Sequence, residues 1–247
     1  MIDKSIIFKI IGSLLFIEAL LLLACLFMAI GYQEDDVPAF IITIILTTLT
    51  GIVLRYLGRN ADNNMSRRDA YLVVTLSWII FSFFGTLPFI ISGYIPSFTD
   101  AYFETMSGFT TTGATIIDDV DKLPHGLLFW RSMTQWIGGL GIVFFTTAVL
   151  PSFVGGSVKV FAAESTGPIS SRLHPRLSTG AKWIWVVYLV LTIGCVLSFM
   201  ACGMGWFDSI NYAMGSTATG GFSTHTDSAE FFRSPAVEYV ATFFCLD

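Results

Sequence analysis

The sequence is poor in charge and in the residues that build metal and redox sites. Charged residues make up 13% of the 247 residues and hydrophobic residues 54%, too little charge to cover the surface of a soluble domain of this length. The four cysteines lie in apolar runs and show neither a disulfide framework nor a zinc spacing, and the three histidines share no ligand spacing with cysteines or carboxylates. These absences favour a membrane protein and disfavour a metal-dependent or redox enzyme.

Long apolar runs recur along the chain at the length that a membrane-spanning helix needs, about 20 residues. The first run begins near the N-terminus with no small-residue cleavage site after it, so we predict a retained helix. A final run stops at Asp247, and we expect it to be cut short there. The predicted spans lie near 5–31, 37–57, 70–93, 126–150 and 181–203, with a sixth starting near 235.

Two shorter segments, 97–117 and 206–224, begin apolar and aromatic and then become rich in threonine and glycine. Each is too short to cross a membrane alone, and a crossing at 97–117 would put the basic loops on opposite sides. Since basic loops stay in the cytoplasm, both segments are predicted to be re-entrant loops from the outer face, with the N-terminus inside. The basic residues that set this orientation are Arg55, Arg59, Arg67, Arg68, Lys159, Arg172, Arg176 and Lys182.

The first re-entrant segment has the pattern of a short helix followed by extended backbone. Thr99 is a candidate helix cap, and Asp100 and Glu104 lie in the first turns, where the helix dipole favours negative charge. The other end would then point its partial negative charge into the membrane, which suits a dehydrating cation. Extended backbone with small side chains can turn carbonyl oxygens toward a pore, and Gly113 would permit the required backbone angles.

The second segment repeats this pattern, with Asp208 near its start and a Thr-Gly step near its end. Aligning Gly113 with Gly220 pairs Thr110 with Thr217, Thr112 with Thr219, and Gly108 with Gly215. This alignment predicts a cation filter formed by Thr111, Thr112, Gly113, Ala114, Ala218, Thr219, Gly220 and Gly221, supported by Thr110 and Thr217.

Three stretches carry a family resemblance: FETMSGFTTTGAT at 103–115, FWRSMTQWIGGLGI at 129–142 and ATGGFSTH at 218–225. They resemble the pore-loop and inner-helix motifs of the Trk/Ktr/HKT superfamily of potassium transporters, and its bacterial Trk membrane subunit in particular. The resemblance implies potassium uptake through a filter of backbone carbonyls from four repeats, with potassium as substrate and no covalent cofactor. Gly113 stands where some sodium-preferring plant relatives carry serine, so the resemblance favours potassium.

The resemblance also implies a setting for the protein. It implies a multi-pass protein of the bacterial inner membrane, a homodimer, and a cytoplasmic nucleotide-binding regulatory ring as partner, with no nucleic acid bound. Two of four repeats are present, so this polypeptide alone is expected to hold half a pore and not to conduct.

The predicted fold class is an all-α membrane protein with span–pore loop–span repeats resembling potassium channels and an extra N-terminal helix pair. The expected divisions are 1–65 for the helix pair, 66–155 for the first repeat, 156–180 for a cytoplasmic connecting loop, and 181–247 for a truncated second repeat.

Several single features keep two interpretations. Glu18, inside a span, suits either a helix-contact hydrogen bond or a transport role, and Lys9 lies on the opposite helix face. Arg131 is expected to snorkel to the outer interface, with a role in the pore as the less favoured alternative. The glycines of Gly138–Gly141 are expected to serve close helix packing and not a nucleotide-binding loop, because they lie within an apolar span with no strand before them. The acids of 118–121 suit either cation concentration at the outer mouth or a solvated loop.

Two functional alternatives stay open at this point, and two others are disfavoured. The chain could belong to a sodium-selective or unselective cation channel or symporter, because selectivity also depends on further filter strands. It could be a non-conducting fragment or scaffold. A membrane enzyme is disfavoured by the absent His, Cys and carboxylate constellations, and a tetrameric channel by the absent TVGYG signature.

Overall fold

A computed structural model describes residues 4–61, 67–149 and 177–245, and the regular elements of these ranges are helical. The predicted connecting loop at 156–180 lies almost entirely outside the described residues. The helices are α1 (Lys4–Tyr32), α2 (Val37–Leu57), α3 (Arg67–Ser92), α4 (Phe98–Phe109), α5 (His125–Val149), α6 (Leu177–Ala201), α7 (Trp206–Thr217) and α8 (Pro235–Cys245), with short 3₁₀ turns at Val120–Lys122 and Ser228–Phe232.

Within the described residues, four helices are long and apolar enough to cross a membrane, and they agree with four of the predicted spans: Lys4–Tyr32, Val37–Leu57, Tyr71–Ser92 and Trp183–Ala201. The fifth predicted span, 126–150, corresponds to α5. Large aliphatic side chains remain exposed along α2 and α6, as expected for surfaces that face lipid; they include Ile45, Leu49, Val53, Val190, Ile193 and Leu197. The chain is therefore a multi-pass, all-helical membrane protein.

Helices α1 and α2 form an antiparallel hairpin that packs through glycine. A side chain at Gly12 would lie 2.8 Å from the carbonyl oxygen of Gly51, and one at Gly58 would lie 2.6 Å from the carbonyl oxygen of Ser5. Small residues let helix backbones approach this closely in a membrane, where van der Waals contact replaces the hydrophobic driving force.

The two remaining groups of helices share one arrangement: a long helix, a 12-residue helix and another helix. Helices α3, α4 and α5 form the first repeat, and α6, α7 and α8 form the second. In the first repeat the indole Nε1 of Trp130 donates to the carbonyl oxygen of Gly85 at 2.8 Å, which ties α5 to α3.

Glycines of α5 let it approach both short helices. A side chain at Gly138 would overlap the carbonyl of Phe109 at the end of α4, and one at Gly139 would lie 2.8 Å from Cα of Ala218 after α7. The predicted close packing is confirmed at these two positions. Gly141 instead breaks the helix, since its φ of 68° and ψ of 137° are not helical.

Candidate functional site: the paired pore loops

Each short helix is followed by non-helical backbone, as expected for a re-entrant loop. Helices α4 and α7 each have 12 residues, about 18 Å, so neither can cross the roughly 30 Å core of a bilayer. Helix α4 begins two residues earlier than predicted. Its cap is Ser97, which accepts from the backbone N–H of Asp100 at 3.5 Å, and Thr99 lies inside the helix.

The backbone leaves both helices in the same way. Thr111 and Thr219 adopt φ of 52°, and Gly113 and Gly221 adopt φ of 74° and 88°. Left-handed backbone disfavours a side chain, so glycine suits positions 113 and 221, whereas Thr111 and Thr219 adopt left-handed backbone at a cost in free energy. The backbone N–H groups of Thr112 and Gly220 donate at 2.9 Å to the carbonyls of Ser107 and Gly215.

This geometry corrects the alignment of the two loops by one residue. Phe98 at the start of α4 matches Trp206 at the start of α7, and the shared backbone angles match Gly113 with Gly221. The pairing of Gly113 with Gly220, and with it Thr110 with Thr217, Thr112 with Thr219 and Gly108 with Gly215, is therefore wrong in register. From the sequence alone, Gly113 can be aligned with either Gly220 or Gly221. The backbone conformation distinguishes the two alignments.

The two loops meet at their glycines. A side chain at Gly113 would overlap the carbonyl oxygen of Gly220, so the strands touch backbone to backbone. Gly113 is half-buried, while Ala218 and Gly220 are buried. The exposed members of the predicted filter set are Thr110, Thr112, Ala114, Thr219 and Gly221, and Thr111 and Thr217 are half-buried.

A buried ion pair lies behind the first loop. Nε of Arg131 on α5 donates to Oε1 of Glu104 on α4 at 2.8 Å, and the two side chains are 2% and 0% exposed. Glu104 also accepts from the hydroxyl of Thr115 and from the backbone N–H of Ile116, each at 3.0 Å. The carboxylate therefore holds the returning part of its own loop.

Arg131 also reaches the second loop. One terminal nitrogen donates to the carbonyl oxygen of Ser223 at 3.1 Å, the other donates to Thr115 at 3.2 Å, and the guanidinium lies 4.2 Å from the ring centroid of Phe222. The expectation that Arg131 snorkels to the outer interface is wrong, because a buried carboxylate supplies a partner inside the protein.

Gln135, one turn beyond Arg131 on α5, is the second support that sequence reasoning missed. Its Oε1 accepts from the backbone N–H of Phe222 at 3.0 Å, and the side chain is fully buried. A signal was present, since Arg131 and Gln135 are polar residues four apart in an apolar helix and so share one face.

A shallower cluster joins the loops near their outer ends. Nδ1 of His225 lies 2.7 Å from Oδ1 of Asp121, and the backbone N–H of Thr226 donates to Asp121 at 3.1 Å. These hydrogen bonds lower the pKa of Asp121 from 3.8 to about 2. Asp208 on α7 accepts from the hydroxyl of Thr224 at 2.7 Å and lies 3.5 Å from Nε2 of His225.

The loop between α1 and α2 closes over the start of α5. Glu34 accepts from the backbone N–H of His125 at 2.6 Å and lies 2.7 Å from its Nδ1. Asp36 is fully buried nearby, and burial, with the charge of Glu34, raises its pKa from 3.8 to about 6, although the backbone N–H of Leu127 opposes the shift. Carboxylates at a helix N-terminus interact favourably with the positive end of the helix dipole.

Glu18 lies on α1, away from the two loops. Its side chain is fully buried, and neither carboxylate oxygen has a hydrogen-bond partner among the residues that the structure describes. The predicted helix-contact hydrogen bond is therefore not made within those residues.

The arrangement as a whole suits a cation. The C-terminal ends of α4 and α7 lead into loops whose small residues approach one another at Gly113 and Gly220. Helix C-termini carry partial negative charge, and acids lie in the first turn at the opposite ends, at Asp100 and Asp208.

The chain is similar in sequence and in fold to known proteins. The chain is 37% identical over 242 residues to the Trk system potassium uptake protein TrkH of Halomonas elongata, covering 97% of this chain and 50% of that protein. It is 35% identical over 237 residues to TrkG of Escherichia coli K12, covering 95% of this chain and 49% of that relative. The crystal structure of the potassium transporter TrkH from Vibrio parahaemolyticus matches with a TM-score of 0.83 at 34% identity, over 99% of this chain and 49% of that chain.

The chain thus spans about half the length of the relatives it matches. The family model of TrkH, described as a cation transport protein, matches residues 36–246. This chain belongs to the TrkH family of cation transport proteins.

Proposed function

We propose that this chain takes part in potassium uptake and supplies two strands of a selectivity filter built from backbone carbonyls. The observation that carries the proposal is the meeting of two matched loops at Gly113 and Gly220, each loop leaving a short helix through left-handed threonine and glycine. Carbonyl oxygens of such backbone can replace the water shell of an ion. The names of the relatives, Trk system potassium uptake proteins, support potassium as the transported substrate.

The filter residues in this proposal are Thr111, Thr112, Gly113 and Ala114 in the first strand and Ala218, Thr219, Gly220 and Gly221 in the second, with Thr110 and Thr217 as support. In the corrected register Ala218 to Gly221 match Thr110 to Gly113, so the second set begins one position earlier than the first. Thr110 fits the supporting role because its hydroxyl donates to the carbonyl of Met106 at 2.7 Å and lies 2.8 Å from the hydroxyl of Thr112. Thr217 likewise donates to the carbonyl of Ala213 at 2.7 Å. The Thr110 hydroxyl thus links the last turn of α4 to the first filter strand, whereas the Thr217 bond lies within the last turn of α7, directly before the second strand.

The proposal includes a half pore. Two strands cannot encircle an ion, and the exposed faces of Thr112, Ala114, Thr219 and Gly221 are where two further strands would pack. Residues 1–65 would then be the helix pair, 66–155 the first repeat, 156–180 the cytoplasmic connection and 181–247 the second repeat.

We place the complete protein in the bacterial inner membrane with its N-terminus in the cytoplasm, as a homodimer that works with a cytoplasmic nucleotide-binding ring. The protein would move potassium without making or breaking a covalent bond, so we propose no enzymatic activity and no covalent cofactor.

The test is growth of a potassium-uptake-deficient bacterium on limiting potassium. The full-length gene product should rescue growth, the 247-residue polypeptide should not, and Gly113→Ser should abolish rescue or shift transport toward sodium. Rescue by the full-length protein that Gly113→Ser leaves intact would remove Gly113 from the filter. Growth supported by the 247-residue polypeptide would contradict the half pore.

A further inference from the structure

Gln135 occupies an unusual position for an uncharged polar residue of a membrane helix. It is fully buried, and its Oε1 accepts from the backbone N–H of Phe222 at 3.0 Å. Because that partner is a donor, the amide oxygen must face Phe222 and the amide nitrogen must face the other way. Nε2 has no hydrogen-bond partner among the described residues, although buried amide groups ordinarily find one.

The amide of Gln135 fills the space that a side chain at residue 220 would need. A Cβ on Gly220 would lie 2.5 Å from Oε1 of Gln135 and 2.7 Å from Nε2. Gly221 is different, because it adopts φ of 88° and a Cβ there would meet nothing within 4 Å. The two glycines therefore have separate reasons to be glycine: Gly221 for its backbone angle and Gly220 for its contact with Gln135.

Gln135 also lies beside the first strand. A Cβ on Gly113 would lie 3.7 Å from Nε2 of Gln135 and would overlap the carbonyl oxygen of Gly220. One amide group thus packs behind the point where the two strands touch. The first loop carries Thr112 at the position that matches Gly220. The Gln135 amide therefore takes the place of a side chain in the second strand alone.

We propose that Gln135 is a positioning residue that sets the spacing of the two filter strands and through it the preference for potassium over sodium. The inference rests on the proposed function of the loops. Selection between two ions that differ mainly in radius and hydration depends on where the carbonyl oxygens stand and how firmly they are held. A buried hydrogen bond to the backbone of the second strand, with the amide wedged against Gly220, holds that strand in place.

The first test compares Gln135→Met with wild type in the full-length gene product. Methionine fills a similar volume but accepts no strong hydrogen bond, so it releases the Phe222 N–H. We expect the ratio of potassium to sodium uptake, measured with ⁸⁶Rb⁺ and ²²Na⁺ in cells or proteoliposomes, to fall at least tenfold. Gln33→Met is the matched control, because Gln33 is exposed in the α1–α2 loop and should leave the ratio unchanged.

The second test uses compensation, which separates positioning from a general loss of stability. Gly220→Ala alone should abolish uptake because its methyl group overlaps the Gln135 amide. Adding Gln135→Ala should restore measurable uptake with a lowered potassium preference. Uptake by Gly221→Ala should not recover when Gln135→Ala is added, because alanine at residue 221 is disfavoured by the backbone angle.

The outcomes are distinguishable. If Gln135→Met folds and keeps the wild-type selectivity ratio, Gln135 does not position the filter. If the double variant Gly220→Ala, Gln135→Ala folds but takes up no more potassium than Gly220→Ala alone, contact with Gln135 is not the reason for glycine at residue 220. If wild-type protein moves no potassium in either assay, the proposed function fails, and the inference about Gln135 fails with it because it rests on that function.

Discussion

The two pore loops follow the same backbone path, but the carboxylates that hold them lie at different depths. In the first repeat Glu104 is buried in the middle of α4 and pairs with Arg131, whereas the matching position of α7 is Tyr212. In the second repeat the carboxylate that holds the loop is Asp208, in the first turn of α7, where it is 23% exposed and close to His225. The same backbone path can thus be held by a deeply buried ion pair or by a shallow hydrogen-bonded cluster.

The comparison also shows that one helix serves both loops. Arg131 donates to groups of the first and second loops, and Gln135 accepts from the second. The inner helix of the first repeat is therefore the common support of the two strands. We expect damage to α5 to disturb both loops, and damage to Asp208 or His225 to disturb mainly the second.

The difference in depth between the two carboxylates predicts that removing each of them has a different effect on stability. Glu104→Ala leaves Arg131 as an unpaired buried charge, so we expect a loss of about 3–5 kcal/mol and a thermal midpoint in detergent lower by roughly 10 °C. Asp208→Ala should cost about 1 kcal/mol, because that carboxylate is partly hydrated. Equal losses from the two variants would contradict the difference in depth. As a check on charge pairing, Glu104→Leu combined with Arg131→Met should be more stable than Glu104→Ala.

The two matched glycines, Gly113 and Gly221, should differ in how strongly their substitution reduces potassium uptake. Gly113→Ala places a methyl group on the carbonyl of Gly220 and strains a left-handed residue, while Gly221→Ala meets only the strain, about 1–2 kcal/mol. Uptake should be lost with Gly113→Ala and reduced severalfold with Gly221→Ala. A reversal of that order would mean that the contact between the two strands is not as close as the structure places it.

The N-terminal ends of the inner helices, α5 and α8, differ in the carboxylates that meet them. This difference predicts how stability depends on pH. Two carboxylates, Glu34 and Asp36, meet the first turn of α5, whereas α8 begins at Pro235 after Ser234. The folded-state pKa of Asp36, raised from 3.8 to about 6, means that folding favours the protonated form. Stability should therefore fall as pH rises from about 4 to about 6, by at most about 3 kcal/mol.

Asp36→Asn should remove that part of the pH dependence and raise the thermal midpoint at pH 7.5 relative to wild type. Asp35→Asn is the control, because Asp35 is exposed and accepts from the hydroxyl of Tyr94 at 3.1 Å. If the midpoint of Asp36→Asn at pH 7.5 is no higher than that of wild type, the buried carboxylate is not the source of the pH effect.

The smallest expected effect concerns the outer link between the loops. Asp121→Asn weakens the bonds to His225 and to the Thr226 N–H, so we expect a loss of about 0.5–1 kcal/mol, reduced by the 46% exposure of Asp121. Because the pKa of Asp121 is about 2, wild type keeps this contribution at neutral pH and loses it only in strong acid. Thermal midpoints at pH 7 should therefore differ by a few degrees or less.

Much of the architecture could be predicted from local patterns. Apolar length and the Thr-Gly segments predicted the long helices and the two short ones, because a bilayer sets a length that a linear sequence displays. The cap of α4 was misplaced to Thr99 because Ser97, Thr99 and Asp100 are all plausible caps within four residues.

The placement of the side chains depended on tertiary contact. The carboxylate that pairs with Arg131 belongs to Glu104, 27 positions earlier in the sequence, so the pairing was not visible from the residues around Arg131. The same holds for Gln135, whose acceptor role depends on Phe222, and for the register of the loops, which was decided by backbone angles at Gly113 and Gly221. Membrane insertion and helix length follow from the solvent preference of consecutive residues, which a linear sequence records. Which strand meets which, and which polar groups hold them, follows from the packing of residues distant in sequence.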